Sequence, residues 1–219
     1  MINVNVDLRD QLGPPRNQGA RPTCVAFAAS DGHACARKMR DQFSAEYAHF
    51  SATRRRIPPR PDLGVSFPLM IAAIGADGQP LEHAWPYLAT LPSPIVNYQP
   101  PADVGQCFRH KFAETTASPE YVLDSLNEGL PALLGLRITR QFHFPPADHI
   151  IRLTHPDPQT ANHAVLAVGY GKIDTNTVFL VRNSWGERWA NLGHIWLTDD
   201  YMRAHLSVLA RSTFGVQNV

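Results

Sequence analysis

The chain is poor in cysteine, which limits how it can be crosslinked. It has only three cysteines in 219 residues, at positions 24, 35 and 107. Cys24 and Cys35 fall on one predicted helix, about 16 Å apart along its axis, which is too far for a disulfide. Cys107 lies in a loop that contains Gly105, and a disulfide between it and another cysteine stays open. The favoured expectation is a fold without disulfides, which is typical of a reducing compartment.

Long apolar runs and an excess of charge are also absent. The first ten residues, M-I-N-V-N-V-D-L-R-D, alternate apolar with polar side chains, so no secretory signal is expected. No apolar run has the length needed to cross a bilayer. The formal net charge is only +1, and nothing favours nucleic acid or a membrane as partner. We therefore expect a cytoplasmic protein, or one exported without a cleavable signal peptide.

What the chain does contain is enough apolar sequence for a sizeable core. Hydrophobic residues make up 44% of it, and a chain of this length can bury a core of one or two domains. The 19 prolines and 14 glycines are spread among apolar segments, which indicates ordered, stiff loops rather than disorder.

Four residues far apart in sequence have the side chains of a nucleophilic site. Cys24 lies in N-Q-G-A-R-P-T-C-V-A-F-A with Gln18 six residues before it, while His163 and Asn183 lie in N-H-A-V and R-N-S-W-G. Attack on an amide carbonyl needs a thiolate, an imidazole to take and return the proton, a group to orient that imidazole, and a donor for the oxyanion. Cys24, His163, Asn183 and Gln18 match these roles in turn.

A helix is predicted to begin at Cys24. Pro22 suits a first helical turn and Thr23 can cap it, and residues rich in helix formers follow from Val25, interrupted only by Gly32. A thiol in the first turn of a helix feels the positive end of the helix dipole. With His163 beside it, we expect a thiolate–imidazolium pair and a lowered pKa for Cys24.

The chain resembles the papain family of cysteine peptidases over nearly its whole length. The motifs that carry this resemblance are V-D-L-R-D-Q-L-G-P-P-R-N-Q-G from Val6, F-S-A-E-Y from Phe43, F-P at Phe67, W-P-Y from Trp85, H-A-V-L-A-V-G-Y-G from His163, N-S-W-G from Asn183 and G-H-I-W from Gly193. The separation of Cys24 from His163, with Asn183 not far beyond, also fits papain-like spacing.

This resemblance implies a single α+β domain of the papain-like fold. A helical subdomain is expected over about 16–100, and a strand-rich, barrel-like subdomain over about 1–15 and 101–219. Cys24 would lie on the helical side, and His163 and Asn183 on the strand-rich side, with the active site in the groove between them. The usual disulfide cysteines are missing, since Arg21 or Pro22 stands where one is common. We also expect a form that lacks the family's N-terminal inhibitory extension, either because it was removed or because the protein is made without one.

The resemblance also predicts how substrate would bind. Val65 and Ser66 stand where the family often has a Gly-Gly pair whose backbone pairs with extended substrate, and their side chains would narrow the groove. The remaining predicted substrate-binding residues are Phe67, Pro68, Gly135, Asn162, Ala164 and Trp185. Those near Phe67 and Gly135 are expected to form an apolar pocket for the second residue upstream of the cut bond, and Trp185 to shield the bond between His163 and Asn183.

The predicted function is that of a cysteine endopeptidase acting on one or few protein or peptide substrates. Two alternatives stay open: an amidase or acyl transferase of narrow specificity, and a binding protein that uses the groove without turnover. No cofactor and no metal site are predicted, because the spaced histidines His143, His149 and His155 lack accompanying ligands. A monomer is expected, with a protein inhibitor or regulator as a further candidate partner.

Overall fold

Six α-helices and eight β-strands make up the computed structural model, which describes residues 1–213. The helices are α1 (Cys24–Ala36), α2 (Ala45–Thr53), α3 (Phe67–Ala76), α4 (Pro119–Asn127), α5 (Arg140–His143) and α6 (Asp199–His205). The strands are β1 (Asn3–Asp7), β2 (Phe112–Thr115), β3 (Ala132–Thr139), β4 (Ile150–Ile151), β5 (Gln159–Ile173), β6 (Asn176–Arg182), β7 (His194–Thr198) and β8 (Leu206–Ser212).

Two helices begin at a serine whose side chain caps them. Ser44 precedes α2 and its hydroxyl accepts from the N–H of Tyr47 at 3.0 Å. Ser118 precedes α4, accepts from Tyr121 N at 3.5 Å, and is followed by Pro119 in the first helical turn. Such caps satisfy N–H groups that have no partner within the helix. Helix α1 differs, because Thr23 precedes it without any side-chain cap.

The strands form one large sheet in the order β2-β8-β3-β5-β6-β7-β4, and β1 pairs with β5 outside that path. All pairings are antiparallel except that of β4 with β7. Strand β5 is 15 residues long and pairs with β3, β6 and β1. It therefore connects the two halves of the sheet, and it carries His163.

Helix α1 packs directly on the sheet at Gly32. A Cβ built at Gly32 would lie 3.0 Å from Leu133 on β3 and 3.1 Å from Leu166 on β5. A glycine inside a helix costs roughly 0.5–1 kcal/mol relative to alanine. Here it allows the helix backbone to approach the sheet closely, and α1 and the sheet share one continuous apolar core.

The architecture is α+β, as predicted. Helices α1 to α3 lie within residues 24–76, and β2 to β8 lie within residues 112–212. The boundaries of the two subdomains near residues 16 and 100 stay a prediction, and residues 214–219 lie outside the described part. Strands β1, β2, β4 and β8 and helices α5 and α6 were not predicted. All three cysteines are free, and no helix within residues 1–213 has the length and hydropathy to cross a membrane.

Candidate active site

Cys24 is the first residue of α1 and faces a groove between that helix and the sheet. The hydroxyl of Thr23, predicted to cap the helix, instead lies 2.9 Å from the hydroxyl of Tyr87. The backbone N–H groups of Ala164, Val25 and Cys24 favour the thiolate and act to lower the pKa of this thiol. Cys24 and His163 line the same cavity, so the thiol lies beside strand β5.

His163 is held by Asn183. Its Nε2 donates to Oδ1 of Asn183 at 2.7 Å, and the same Oδ1 accepts from the N–H of Ser184 at 2.8 Å. An acceptor of a backbone N–H must be the oxygen of the amide, so Nε2 of His163 carries the proton. In the neutral imidazole Nδ1 is then free to accept a proton. Both Asn183 and its bond to His163 are buried.

Aromatic rings cover this bond. The ring of Trp185 lies 4.8 Å from that of His163 between centroids, and it stacks on His143 at 5.5 Å. Phe142 and Trp189 extend the cluster. Such a cluster excludes water from the contact between His163 and Asn183. His143 was not predicted here, because nothing in its proline-rich segment indicates that the segment folds back against Trp185.

Burial disfavours charge on both His163 and Cys24. It raises the pKa of the Cys24 thiol, and the backbone N–H groups of Ala164 and Val25 only partly oppose this. Burial also lowers the pKa of His163 to about 4, although the hydrogen bond to Asn183 acts to raise it. The prediction of a lowered pKa at Cys24 is therefore wrong in direction, because the desolvation of a buried thiolate outweighs the helix terminus.

Gln18 is fixed by two side-chain hydrogen bonds. Its Nε2 donates to the carbonyl of Arg21 at 2.8 Å, and its Oε1 accepts from the hydroxyl of Ser184 at 2.6 Å. Its backbone N–H also donates to the carbonyl of Ser184 at 2.8 Å. Because Nε2 has two N–H donors, one remains after the bond to Arg21. The side chain is thus oriented without using its whole donor capacity.

The groove contains a cavity of about 580 Å³. Of the predicted site residues, Cys24, Val65, Ser66, Phe67, Pro68, Gly135, Asn162, His163 and Ala164 line it. Gln18 and Trp185 are not among its lining residues. Residues that sequence reasoning missed also line it, namely Pro22, Val25, Gly64, Glu114, Leu136, Arg137, Ser207 and Val208. Strands β2 and β8 carry several of these, and neither strand has a motif that would mark it.

Gly135 keeps the apolar part of the cavity open. A Cβ at this position would lie 2.9 Å from Cβ of Val208 and 3.5 Å from the ring of Phe67. Val208 faces Gly135 across the pairing of β3 with β8. The residue type at position 135 therefore sets the width between the sheet and the start of α3.

Glu114 lies far along the sheet from the catalytic candidates. It is on β2, the end strand, and the order β5-β3-β8-β2 places it three strand spacings, about 14 Å, from the strand of His163. Its carboxylate is exposed and has no ion-pair partner within residues 1–213. An apolar cavity thus has an acidic far end.

No group of three or more metal-ligating side chains is placed to hold an ion in the part of the chain that the structure describes.

Comparison with known proteins finds similarity to the same family that the motifs resemble. A family model described as "Papain family cysteine protease" matches residues 114–211. Testin-2 of Rattus norvegicus is 42% identical over 59 residues, which is 25% of this chain and only 17% of that protein. The sequence match therefore spans less than a fifth of this relative's length.

Solved structures agree in fold. Xylellain, a cysteine protease from Xylella fastidiosa, is similar with a TM-score of 0.77 at 20% identity, over 97% of this chain and 87% of that chain. A Carica candamarcensis cysteine protease, CMS1MS2, in complex with E-64, has a TM-score of 0.73 at 21% identity, over 95% and 97%.

The fold is therefore papain-like, with cysteine proteases as its relatives. The resemblance to the papain family of cysteine peptidases, first seen in the motifs, is confirmed, as is the α+β papain-like fold.

Proposed function

We propose that the protein is a cysteine peptidase that hydrolyses peptide bonds through an acyl-enzyme on Cys24. The observation that carries this proposal is the bond from His163 Nε2 to Asn183 Oδ1, at 2.7 Å, in a histidine that lines the same cavity as Cys24. That bond fixes the tautomer in which Nδ1 can accept the proton of the thiol.

The proposed reaction starts from the neutral pair that burial favours. Nδ1 of His163 takes the Cys24 proton as the sulfur attacks the substrate carbonyl, which gives a tetrahedral oxyanion. The donors for that oxyanion are the remaining N–H of Gln18 and the backbone N–H of Cys24. The imidazolium then protonates the leaving amine, and a thioester forms. Water, deprotonated by His163, hydrolyses the thioester and restores the thiol.

The cavity supports extended peptide with an apolar side chain near Phe67, Gly135 and Val208 as substrate. The chemistry requires no cofactor. If the protein accepts only a restricted substrate terminus in place of a long peptide, it is an amidase. If an amine in place of water attacks the acyl-enzyme, it is an acyl transferase. Partition of the acyl-enzyme to an added amine distinguishes these from a peptidase.

The test is covalent labelling with an epoxysuccinyl probe of the E-64 type, measured by intact mass and peptide mapping. The expected result is one adduct on Cys24, which is lost in Cys24→Ala and in His163→Ala. Cys35→Ala is the matched control and should label as the wild type does, since burial raises the pKa of Cys35 to about 12. Folded protein that forms no adduct would favour a binding protein instead.

A further inference from the structure

Arg21 lies in the segment that joins Gln18 to Cys24, and it forms a buried ion pair with Glu46. Arg21 donates from Nη1 to Oε2 of Glu46 at 2.6 Å and from Nη2 to Oε1 at 2.9 Å. Nη1 also donates to the carbonyl of Leu88 at 2.6 Å. Glu46, in the first turn of α2, is fully buried, and Arg21 is 7% exposed. This two-point geometry holds the guanidinium in one orientation.

The rest of the carboxylate is also satisfied. Glu46 accepts from the hydroxyl of Tyr98 at 2.5 Å and from the N–H of Leu88 at 2.9 Å. The rings of Tyr87 and Tyr98 lie 5.1 and 5.8 Å from the guanidinium carbon of Arg21. A buried ion pair is weak grounds for inferring net stability, because desolvation offsets much of its attraction. Its main effect here is to fix the position of residue 21.

The backbone carbonyl of Arg21 is hydrogen-bonded to Gln18 and Thr23, so the position of residue 21 sets where the proposed catalytic groups lie. This carbonyl accepts from Nε2 of Gln18 at 2.8 Å and from the N–H of Thr23 at 2.9 Å. Tyr87, which packs on the guanidinium, donates its hydroxyl to the carbonyl of Gln18 at 2.7 Å. Because the single hydroxyl proton of Tyr87 is in the bond to Gln18, the hydroxyl of Thr23 must be the donor in its 2.9 Å bond to the Tyr87 oxygen. Both candidate oxyanion donors, Gln18 and Cys24, are thus fixed to one anchor.

We propose that Arg21, held by Glu46, is a positioning residue that aims the amide of Gln18 at the oxyanion. It does so without a covalent link, in a segment where the papain family commonly has a disulfide cysteine. This inference rests on the proposed function, since it concerns the same reaction. It predicts an effect on the chemical step and little effect on the basicity or accessibility of the Cys24 thiol.

The experiment compares Arg21→Met and Arg21→Lys with the wild type on a peptide amide substrate. A displacement of about 1 Å at a catalytic group can cost about 10²-fold in rate, so we expect Arg21→Met to lower kcat by about 10–100-fold with KM nearly unchanged. Lysine keeps the charge but lacks the fork of donors, and Arg21→Lys should recover only part of the rate. Alkylation of Cys24 by iodoacetamide forms no oxyanion and should stay within about twofold of wild type.

Two further variants provide a second probe of the hydrogen bonds around Gln18 and a control for the loss of an ion pair. Tyr87→Phe removes only the hydroxyl that bonds Gln18 and Thr23, and should lower kcat about tenfold even if Arg21→Met does not fold. Arg55→Met is the matched control: it breaks another two-point pair, with Asp77 at 2.7 and 3.0 Å, whose residues do not line the groove. It should leave kcat unchanged.

Equal losses in kcat and alkylation rate would overturn the proposal, because the whole site would then have been disturbed. Wild-type kcat in both Arg21→Met and Tyr87→Phe would also overturn it. A wild-type protein that hydrolyses no peptide amide would instead reject the proposed function, and the positioning role with it.

Discussion

Arg182 donates from Nε to Oδ2 of Asp31 at 2.7 Å, across the contact between the sheet and α1. Asp31 lies seven residues after Cys24 on the helix, and Arg182 directly precedes Asn183. Arg16 donates to the other oxygen of Asp31 at 2.8 Å. This ion pair therefore joins the helix that begins at Cys24 to the end of strand β6, directly before Asn183.

Asp31→Asn should destabilise the fold, because it leaves the buried guanidinium of Arg182 without a carboxylate and that of Arg16 with Glu82 alone. Breaking a buried pair in this way typically costs about 3–5 kcal/mol. Burial alone would raise the pKa of Asp31, but the charges of Arg182 and Arg16 lower it below its ordinary value. Unfolding in urea at neutral pH measures the change in free energy. Asp62→Asn, which affects an exposed pair with Arg60, serves as the control with little effect.

Acid should destabilise the protein between about pH 6.5 and 4. Burial lowers the pKa of His33 to about 3 and of His110 and His194 to about 4. An unfolded histidine binds its proton near pH 6.5, so the unfolded state binds more protons than the folded state within this window. The stabilisation is complete above pH 6.5 and is lost as the pH falls through the folded values.

Urea denaturation at several pH values tests this acid response. The free energy of unfolding should decrease steadily below pH 6.5. A flat profile down to pH 4 would show that these histidines are not buried in their neutral form.

Asn183→Ala should slow turnover without preventing substrate binding. The His163 ring would lose the acceptor that fixes its tautomer and orientation, and misorientation of a catalytic group can cost about 10²-fold in kcat. KM should change little, since Asn183 does not line the cavity. Asn127→Ala is a matched control, because Asn127 also accepts a hydrogen bond from a ring substituent, the hydroxyl of Tyr170 at 2.7 Å. A wild-type kcat for Asn183→Ala would contradict its proposed role.

Gly135→Ala should narrow the apolar pocket. The added methyl would lie 2.9 Å from Cβ of Val208, and a poor fit of this size in an apolar site costs about 1–3 kcal/mol. We expect kcat/KM to fall about tenfold or more for peptides with phenylalanine in the second position upstream of the cut bond, and less for alanine. The double variant Gly135→Ala/Val208→Ala should restore part of the loss. No change in this preference would mean that the side chain binds elsewhere.

Glu114→Gln should reduce turnover of peptides whose upstream side chain is long and basic. Such a side chain can lay its methylene groups along Val208 and bring its charge toward the exposed carboxylate. Exposed ion pairs contribute about 0.2–1 kcal/mol, so the expected loss is about two- to fivefold in kcat/KM and should shrink at high salt. Glu120→Gln, at a surface pair with Arg203 outside the cavity, is the control. Equal losses for neutral peptides would contradict a charge effect.

The sequence predicted the parts of the molecule that local patterns encode. Ser44 and Ser118 are residue types that favour a helix start, and they precede α2 and α4. Short apolar runs bounded by Gly, Pro, Asp and Asn indicate β3, β5 and β6. The motifs named His163 and Asn183 and predicted the hydrogen bond between them, and the structure gives its length, 2.7 Å. Val208 and Glu114 were missed because they reach the cavity only through the pairing of β3, β8 and β2, which involves contacts distant in sequence.

The pKa of Cys24 was misjudged for a related reason. A helix terminus is visible in sequence, whereas the packing of β5 against the thiol is not. The same holds for Arg21, which lies outside the helices, while its partner Glu46 lies in α2 and gives no sign in sequence of being an anchor.

Free thiols at positions 24, 35 and 107 give the protein a practical advantage for study. No covalent link has to form or survive for residues 1–213 to reach their structure. The protein should therefore refold from urea in a buffer that contains millimolar reducing agent, the same condition that keeps the three free thiols from oxidation. Recovery of the fold and recovery of reactive Cys24 can then be followed in one solution.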